Sequence, residues 1–179
     1  NKQQTDTKPI RNIDIPEDYL RKQKVISSYW NEPIADAFRV LRTRILQRMD
    51  QNKWNSVGVT SVDPKNGKSL TTINLGIAIA KEPNRSVIVV DTDLRRPSTH
   101  QYFGIEPDYG IEDFLLGEAT VESLLFSPGI EDFAIEIGAL FSDLFDNFIV
   151  AGRGLVLGAS GRNTVVHCHL VIDQKESTL

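Results

Sequence analysis

Residues 62–69 read Val-Asp-Pro-Lys-Asn-Gly-Lys-Ser, and residues 87–93 read Val-Ile-Val-Val-Asp-Thr-Asp. The first stretch ends in Gly67-Lys68-Ser69, the core of a phosphate-binding loop. The second is a run of β-branched residues that delivers two carboxylates, Asp91 and Asp93, at its C-terminal end. Between them, Ile73, Leu75, Ile77, Ala78 and Ile79 predict a mostly buried helix over residues 70–80. Ahead of the loop, Ser56-Val57-Gly58-Val59-Thr60 reads as a short buried strand. The order strand, loop, helix, strand is the βαβ unit on which nucleotide sites are built. It predicts an α/β fold, a parallel sheet with helices on both faces.

The loop chemistry follows from the residue types. A polyphosphate is held by backbone N–H groups at a helix N-terminus. Asn66, Gly67, Lys68, Ser69 and Leu70 would supply that cradle. Gly67 lacks the Cβ that would block close approach, Lys68 would reach the β- and γ-phosphates, and the Ser69 hydroxyl would ligate Mg²⁺. The pattern G-x-x-x-x-G-K-[ST] is incomplete, because Val62 holds its first position. Asp91 and Asp93 alternate along one strand, so they share a side. At the C-terminal edge of a parallel sheet, carboxylates suit Mg²⁺ or proton acceptance from an attacking hydroxyl. The bland alternative is a solvated strand end whose aspartates cap the next turn.

Working outward, residues 1–30 form a polar arm, with a short helix near residues 17–24, and residues 31–179 form the nucleotide-binding domain. Asn31 and Pro33 start a helix reaching about Met49, with Ile34, Phe38, Leu41 and Ile45 on one face. Beyond the second strand, short helices are expected over 99–104, 111–116 and 120–126, the last capped by Thr120, and a strand over 130–135. Residues 136–145 read as weakly helical, and 148–150, 155–157 and 165–172 as strands. His167 and His169 would share a strand face, but too few further ligands lie nearby for a zinc site.

Composition bounds the partners. The 179 residues carry a net charge of −4 and 40% hydrophobic residues, which gives no footprint for nucleic acid. The single cysteine, Cys168, fits a reducing compartment, and no apolar run approaches the ~20 residues that span a bilayer. The polar start shows no signal peptide. A cytoplasmic location is expected, with membrane attachment through another chain.

The two motifs together resemble the bacterial tyrosine autokinases of capsule and exopolysaccharide assembly, which have a phosphate-loop NTPase fold. A third match is the stretch from Ala35 to Thr43, Ala-Asp-Ala-Phe-Arg-Val-Leu-Arg-Thr, similar to the family's Glu-Ala-Phe-Arg-x-Leu-Arg-Thr. The resemblance covers residues 30–133. It implies ATP-dependent phosphorylation of tyrosine in the same or a neighbouring subunit, with ATP and Mg²⁺ as cofactors. By the same resemblance, Lys68 and Ser69 would hold phosphate and Mg²⁺. Asp91 would activate the tyrosine hydroxyl and Asp93 would help hold Mg²⁺. Asp36, Arg39 and Arg42 would mediate homo-oligomerisation, and a separate membrane protein would be the activator at the inner face of the membrane.

The chain departs from that pattern. Val62 and Lys65 stand where small residues or glycine are usual. The family's strand ending in Asp-x-Pro-Pro is missing, as is its C-terminal tyrosine cluster; the last tyrosine is Tyr109. A truncated or altered C-terminus, from a changed reading frame, would account for residues 135–179. Two other functions stay open: a catalytically deficient nucleotide-binding and oligomerisation module, and a partitioning or cell-division ATPase. Against the last stands Asp63, where those proteins carry a lysine.

Overall fold

The computed structural model describes residues 10–25, 33–61, 65–91, 93, 97–136 and, as backbone, 165–174. In chain order these form β1 (Arg11–Asn12), α1 (Glu17–Lys22), α2 (Pro33–Asn52), β2 (Ser56–Ser61), α3 (Lys68–Ala80) and β3 (Arg85–Asp91). A 3-10 helix (Thr99–Phe103), α4 (Ile111–Leu115), α5 (Val121–Leu124), β4 (Leu125–Ser127), β5 (Phe133–Glu136) and β6 (Val165–Gln174) follow. The expected helix over 120–126 therefore stops at Leu124. Leu125 turns to extended backbone, and Phe126 is buried in a strand instead. The expected segments over 137–145, 148–150 and 155–157, and the cap Asn31, lie outside the described residues.

The sheet has the order β1-β4-β5-β3-β6-β2 and is mixed. β3 and β5 run parallel, and so do β1 and β4; β2 and β3 point the same way, as the βαβ reading requires, with β6 between them. β4 pairs antiparallel with β5, and β6 runs antiparallel to both β3 and β2, which inserts an antiparallel strand into the expected parallel sheet. The reason is where the strand enters. Val165 pairs with Ser61 and Cys168 with Asp91, so β6 starts at the phosphate-loop end of the sheet and runs back. β5 ends at that same edge, since Val90 pairs with Glu136. A strand that starts at the end of the sheet where its neighbours finish runs antiparallel to them. β2 becomes the sheet's last strand, and its alternate residues Ser56, Gly58 and Thr60 are exposed, so the expected buried strand is an edge strand.

α3 lies on the centre of this sheet, against β3, β6 and β2. Every residue from 72 to 80 is buried. Val87, Val89 and Asp91 are buried on β3, while Ile88 and Val90 on its other side remain partly accessible. Among the described residues, α3 thus makes the main helix–sheet layer, on one face. Burying Ile73, Leu75, Ile77 and Ile79 contributes roughly 1.5–3 kcal/mol per side chain. Two polar residues inside α3 are satisfied locally: the Thr72 hydroxyl donates to the Lys68 carbonyl at 2.9 Å, and Asn74 Nδ2 donates to the Leu70 carbonyl at 3.0 Å.

Asn74 also donates to the Lys24 carbonyl at 3.1 Å, which ties the N-terminal segment to α3. Residues 10–25, read from sequence as part of a polar arm, bury Leu20 and Val25 in the common core. Tyr19 packs so closely on Gly104 that a Cβ there would lie 2.8 Å from the phenol oxygen. Phe103 in turn meets Phe126 edge-on, with ring centroids 5.8 Å apart.

α2 packs on α3 as an outer layer. Its inward positions are Ala35, Phe38, Arg42, Ile45, Leu46 and Met49. Ile34 and Leu41, expected on the buried face, are 59% and 38% exposed. The helix is rotated by roughly half a residue from that expectation: Phe38 and Ile45 stay inward, and the spacing 35-38-42-45-49 is also helical and places the small Ala35 and long Met49 inside. Arg85 pairs with Asp50 at 2.8 Å and ties the end of α2 to the start of β3.

Candidate nucleotide site

The loop closes on α3 through Gly67, the N-cap, which sits at φ 78°. A Cβ at Gly67 would meet nothing within 4 Å, so the requirement for glycine is conformational and not one of space. Lys65 takes φ 64°, also left-handed, where a non-glycine residue costs roughly 1 kcal/mol. This is the position at which the resemblance expects a small residue. The first N–H groups of an α-helix have no intrahelical acceptor, and no side chain caps this helix start. The macrodipole adds partial positive charge there. The Thr71 N–H returns to the Gly67 carbonyl at 2.8 Å, which fixes the first turn.

Lys68 is buried, with Nζ donating to the Ser61 hydroxyl at the end of β2, 2.9 Å away. Ser69 lies beside Ser98, with 3.0 Å between the hydroxyl oxygens. Asn66 is exposed at the loop tip, and Leu70 is half-buried in the first turn. The structure therefore brings the two sequence motifs together at one sheet end, and does so through residues that motif reading passed over: Ser61, Ser98 and Thr99. No spacing rule ties residue 98 to residue 69, so only a weak signal existed, the hydroxyl pair Ser98-Thr99 after Pro97.

Asp91 is 1% exposed. Its Oδ1 accepts the Asp93 N–H at 3.0 Å. Its Oδ2 accepts the N–H groups of Ser98 and Thr99, both at 2.9 Å, and the Thr99 hydroxyl at 2.6 Å. The carboxylate thus holds the start of the 3-10 helix at Ser98 and Thr99, close to the capping role of the bland alternative, but it is buried and not solvated. His100, on that helix, has its pKa lowered by burial, with the Asp91 charge pulling partly back upward. Asp93 is half-buried two residues along from Asp91.

These residues fit a magnesium nucleotide. Among the described residues no group of three or more His, Cys, Asp or Glu side chains could hold a metal alone. Mg²⁺ does not require one, since it commonly takes one or two protein oxygens and completes its shell with phosphates and water. The hydroxyl of Ser69, in the first turn of a helix that favours anions at its start, and the carboxylate of Asp93, two residues beyond Asp91, are oxygen donors of that kind.

Of the three α2 residues, Asp36 and Arg39 form an ion pair in which Asp36 is exposed and Arg39 is part-buried. Arg42 turns inward. Its Nη1 donates to the Ala78 carbonyl at 3.2 Å and its Nη2 pairs with Glu82 at 2.5 Å, at the C-terminal end of α3 where a cation is favoured. Lys81 beside them has its pKa lowered, first by burial and then by the charge of Arg39. Among the described residues no helix is long and apolar enough to cross a membrane.

No known family profile matches the chain. It is 33% identical over 88 residues to the tyrosine-protein kinase YwqD of Bacillus subtilis, covering 49% of this chain and 37% of that protein. It is 31% identical over 98 residues to the tyrosine-protein kinase Wzc of Salmonella typhimurium, covering 55% of this chain and 14% of that protein. The chain thus spans well under half the length of these relatives. Among solved structures, the kinase domain of the Escherichia coli tyrosine kinase Etk superposes over 76% of this chain and 58% of its own, with TM-score 0.58 at 21% identity. The chimerical protein CapA2B2 does so over 76% and 57%, with TM-score 0.56 at 24% identity. The structural likenesses show that the chain shares the α/β fold of these proteins, and over about half its length its sequence is similar to bacterial tyrosine-protein kinases.

Proposed function

We propose that this chain provides the ATP-binding core of a bacterial protein-tyrosine kinase that acts in exopolysaccharide or capsule synthesis. The observation that carries the reading is the meeting of Lys68 and Ser69, in the first turn of a buried helix, with the Asp91–Asp93 strand end, through the Ser69–Ser98 contact. The tyrosine kinases among its relatives support the same reading. ATP would supply the phosphoryl group and Mg²⁺ would neutralise charge developing on its oxygens.

The chain's own residues would act by position and charge. Lys68 would exchange Ser61 for phosphate oxygens, Ser69 and Asp93 would hold the cation, and the N–H groups of residues 66–70 would face the phosphates. Asp91 would take a proton from a tyrosine hydroxyl on Oδ1, the oxygen that accepts the Asp93 N–H, while Oδ2 stays held by Ser98 and Thr99. Exposed Asp36, with part-buried Arg39 paired to it, would be the residues that meet a second copy. Arg42 would then act by fixing α2 on α3. A separate membrane protein as activator, and a peripheral position at the inner face of the membrane, complete the reading.

Calorimetric titration of the chain with Mg-ATP tests it. Micromolar to submillimolar binding is expected, with loss of about 100-fold or more in Lys68→Ala, because a buried ammonium that meets phosphate is removed. Incubation with labelled ATP should then leave phosphate on tyrosine. Release of free phosphate would point to an ATPase, and binding without transfer to a nucleotide-binding module. Absence of binding by the intact chain would overturn the proposal.

A further inference from the structure

Ser98 belongs to neither nucleotide motif, yet its hydroxyl lies 3.0 Å from that of Ser69 in a part-buried contact. A serine hydroxyl has one proton and two lone pairs. When its oxygen gives a lone pair to a cation, its proton needs an acceptor elsewhere. One turn later, Thr72 solves the same problem inside the helix, donating to the Lys68 carbonyl. Ser69 has Ser98 in front of it instead. We propose that Ser98 is a positioning residue for a divalent cation at Ser69: its oxygen accepts the Ser69 proton and so turns the Ser69 lone pair toward the metal. The inference rests on the nucleotide-site reading above.

The position of Ser98 is built and not incidental. Its N–H is held by Asp91 Oδ2 at 2.9 Å, and the same oxygen takes the N–H and hydroxyl of buried Thr99. The buried carboxylate at the end of β3 thus sets Ser98, and Ser98 meets the second residue of α3. Either hydroxyl is able to donate in the free protein. A bound cation fixes the direction, because it leaves Ser69 as donor. Partners that orient a metal ligand in this way typically change metal affinity by about 10–100-fold when removed.

The test uses Mn²⁺ as the spin probe in place of Mg²⁺, with the full chain saturated by β,γ-imido-ATP, and reads the metal affinity by electron paramagnetic resonance. Nucleotide affinity without metal is measured in parallel. Ser98→Ala is expected to weaken Mn²⁺ about 10-fold while metal-free nucleotide binding stays within about 2-fold. Ser98→Thr, which keeps the hydroxyl, should restore the metal affinity. Mn²⁺ affinity unchanged in Ser98→Ala, an equal loss with and without metal, or no rescue by threonine would each overturn the proposal and leave the nucleotide reading standing. A wild-type chain that binds no metal–nucleotide would remove both.

Discussion

Helices α2 and α3 pack against each other, but their apolar residues carry different information. In α3 every residue from 72 to 80 is buried, so any assignment of its inward face is nearly right. In α2 the fully buried residues are Ala35 and Met49, and two competing apolar stripes fit a helical period. Of the four apolar residues that the spacing aligns, Phe38 and Ile45 pack inward while Ile34 and Leu41 face out, and the inward face has an arginine at its centre. Apolar spacing identifies a helix in both cases. It identifies the packed face only where the neighbour covers most of the helix, or where no charged residue is held inside by a partner.

The widest gap between the two helices should appear in truncation of aliphatic side chains. Ile77→Ala in α3 is expected to cost about 2–5 kcal/mol in denaturant unfolding, since Ile77 is fully buried. Leu41→Ala in α2 should stay within about 0.5 kcal/mol. Equal losses would mean that α2 is rotated toward the stripe expected from sequence. A smaller contrast lies within α2. Arg42→Ala should cost about 1–3 kcal/mol, because it strips donors from the Ala78 carbonyl and from Glu82. Arg39→Ala, at the pair with exposed Asp36, should cost about 0.3–0.5 kcal/mol while reducing self-association measured by sedimentation.

The smallest expected effect is on pH dependence at the other end of α3, where the 3-10 helix meets the site. Burial lowers the pKa of His100, so the unfolded chain takes up this proton first as pH falls below about 6.5. The stability contribution is complete above that pH and is lost progressively toward the lower folded pKa. His100→Gln should flatten the stability–pH curve just below about pH 6.5 relative to wild type. An unchanged slope would mean that the imidazole is solvated.

Much of the site was legible because its parts are local. Gly67, Lys68 and Ser69 are consecutive, and the chemistry of a helix N-terminus needs no long-range information. The β3 run announced both its strand and its two carboxylates. What Asp91 does was not legible. Its four donors come from residues 93, 98 and 99, and burial to 1% depends on the neighbouring layers. The same carboxylate in an open strand end would be a free proton acceptor. Ser61 and Ser98 were missed because serine carries no periodic signal and gains meaning only from the atom opposite it.

The sheet divides the same way. The sequence by itself determined the βαβ unit from β2 to β3, since loop glycine, apolar helix and β-branched strand each act within a few residues. It also determined that β6 would be extended. Tertiary structure alone decided that β6 enters between β3 and β2 and runs antiparallel to both, and so made β2 an edge strand. It also decided that α2 turns Arg42 inward and that Asp91 holds the start of the 3-10 helix. The physical reason is that period and propensity fix what a segment is, whereas strand direction, helix rotation and the partners of a buried charge depend on which distant groups arrive beside it.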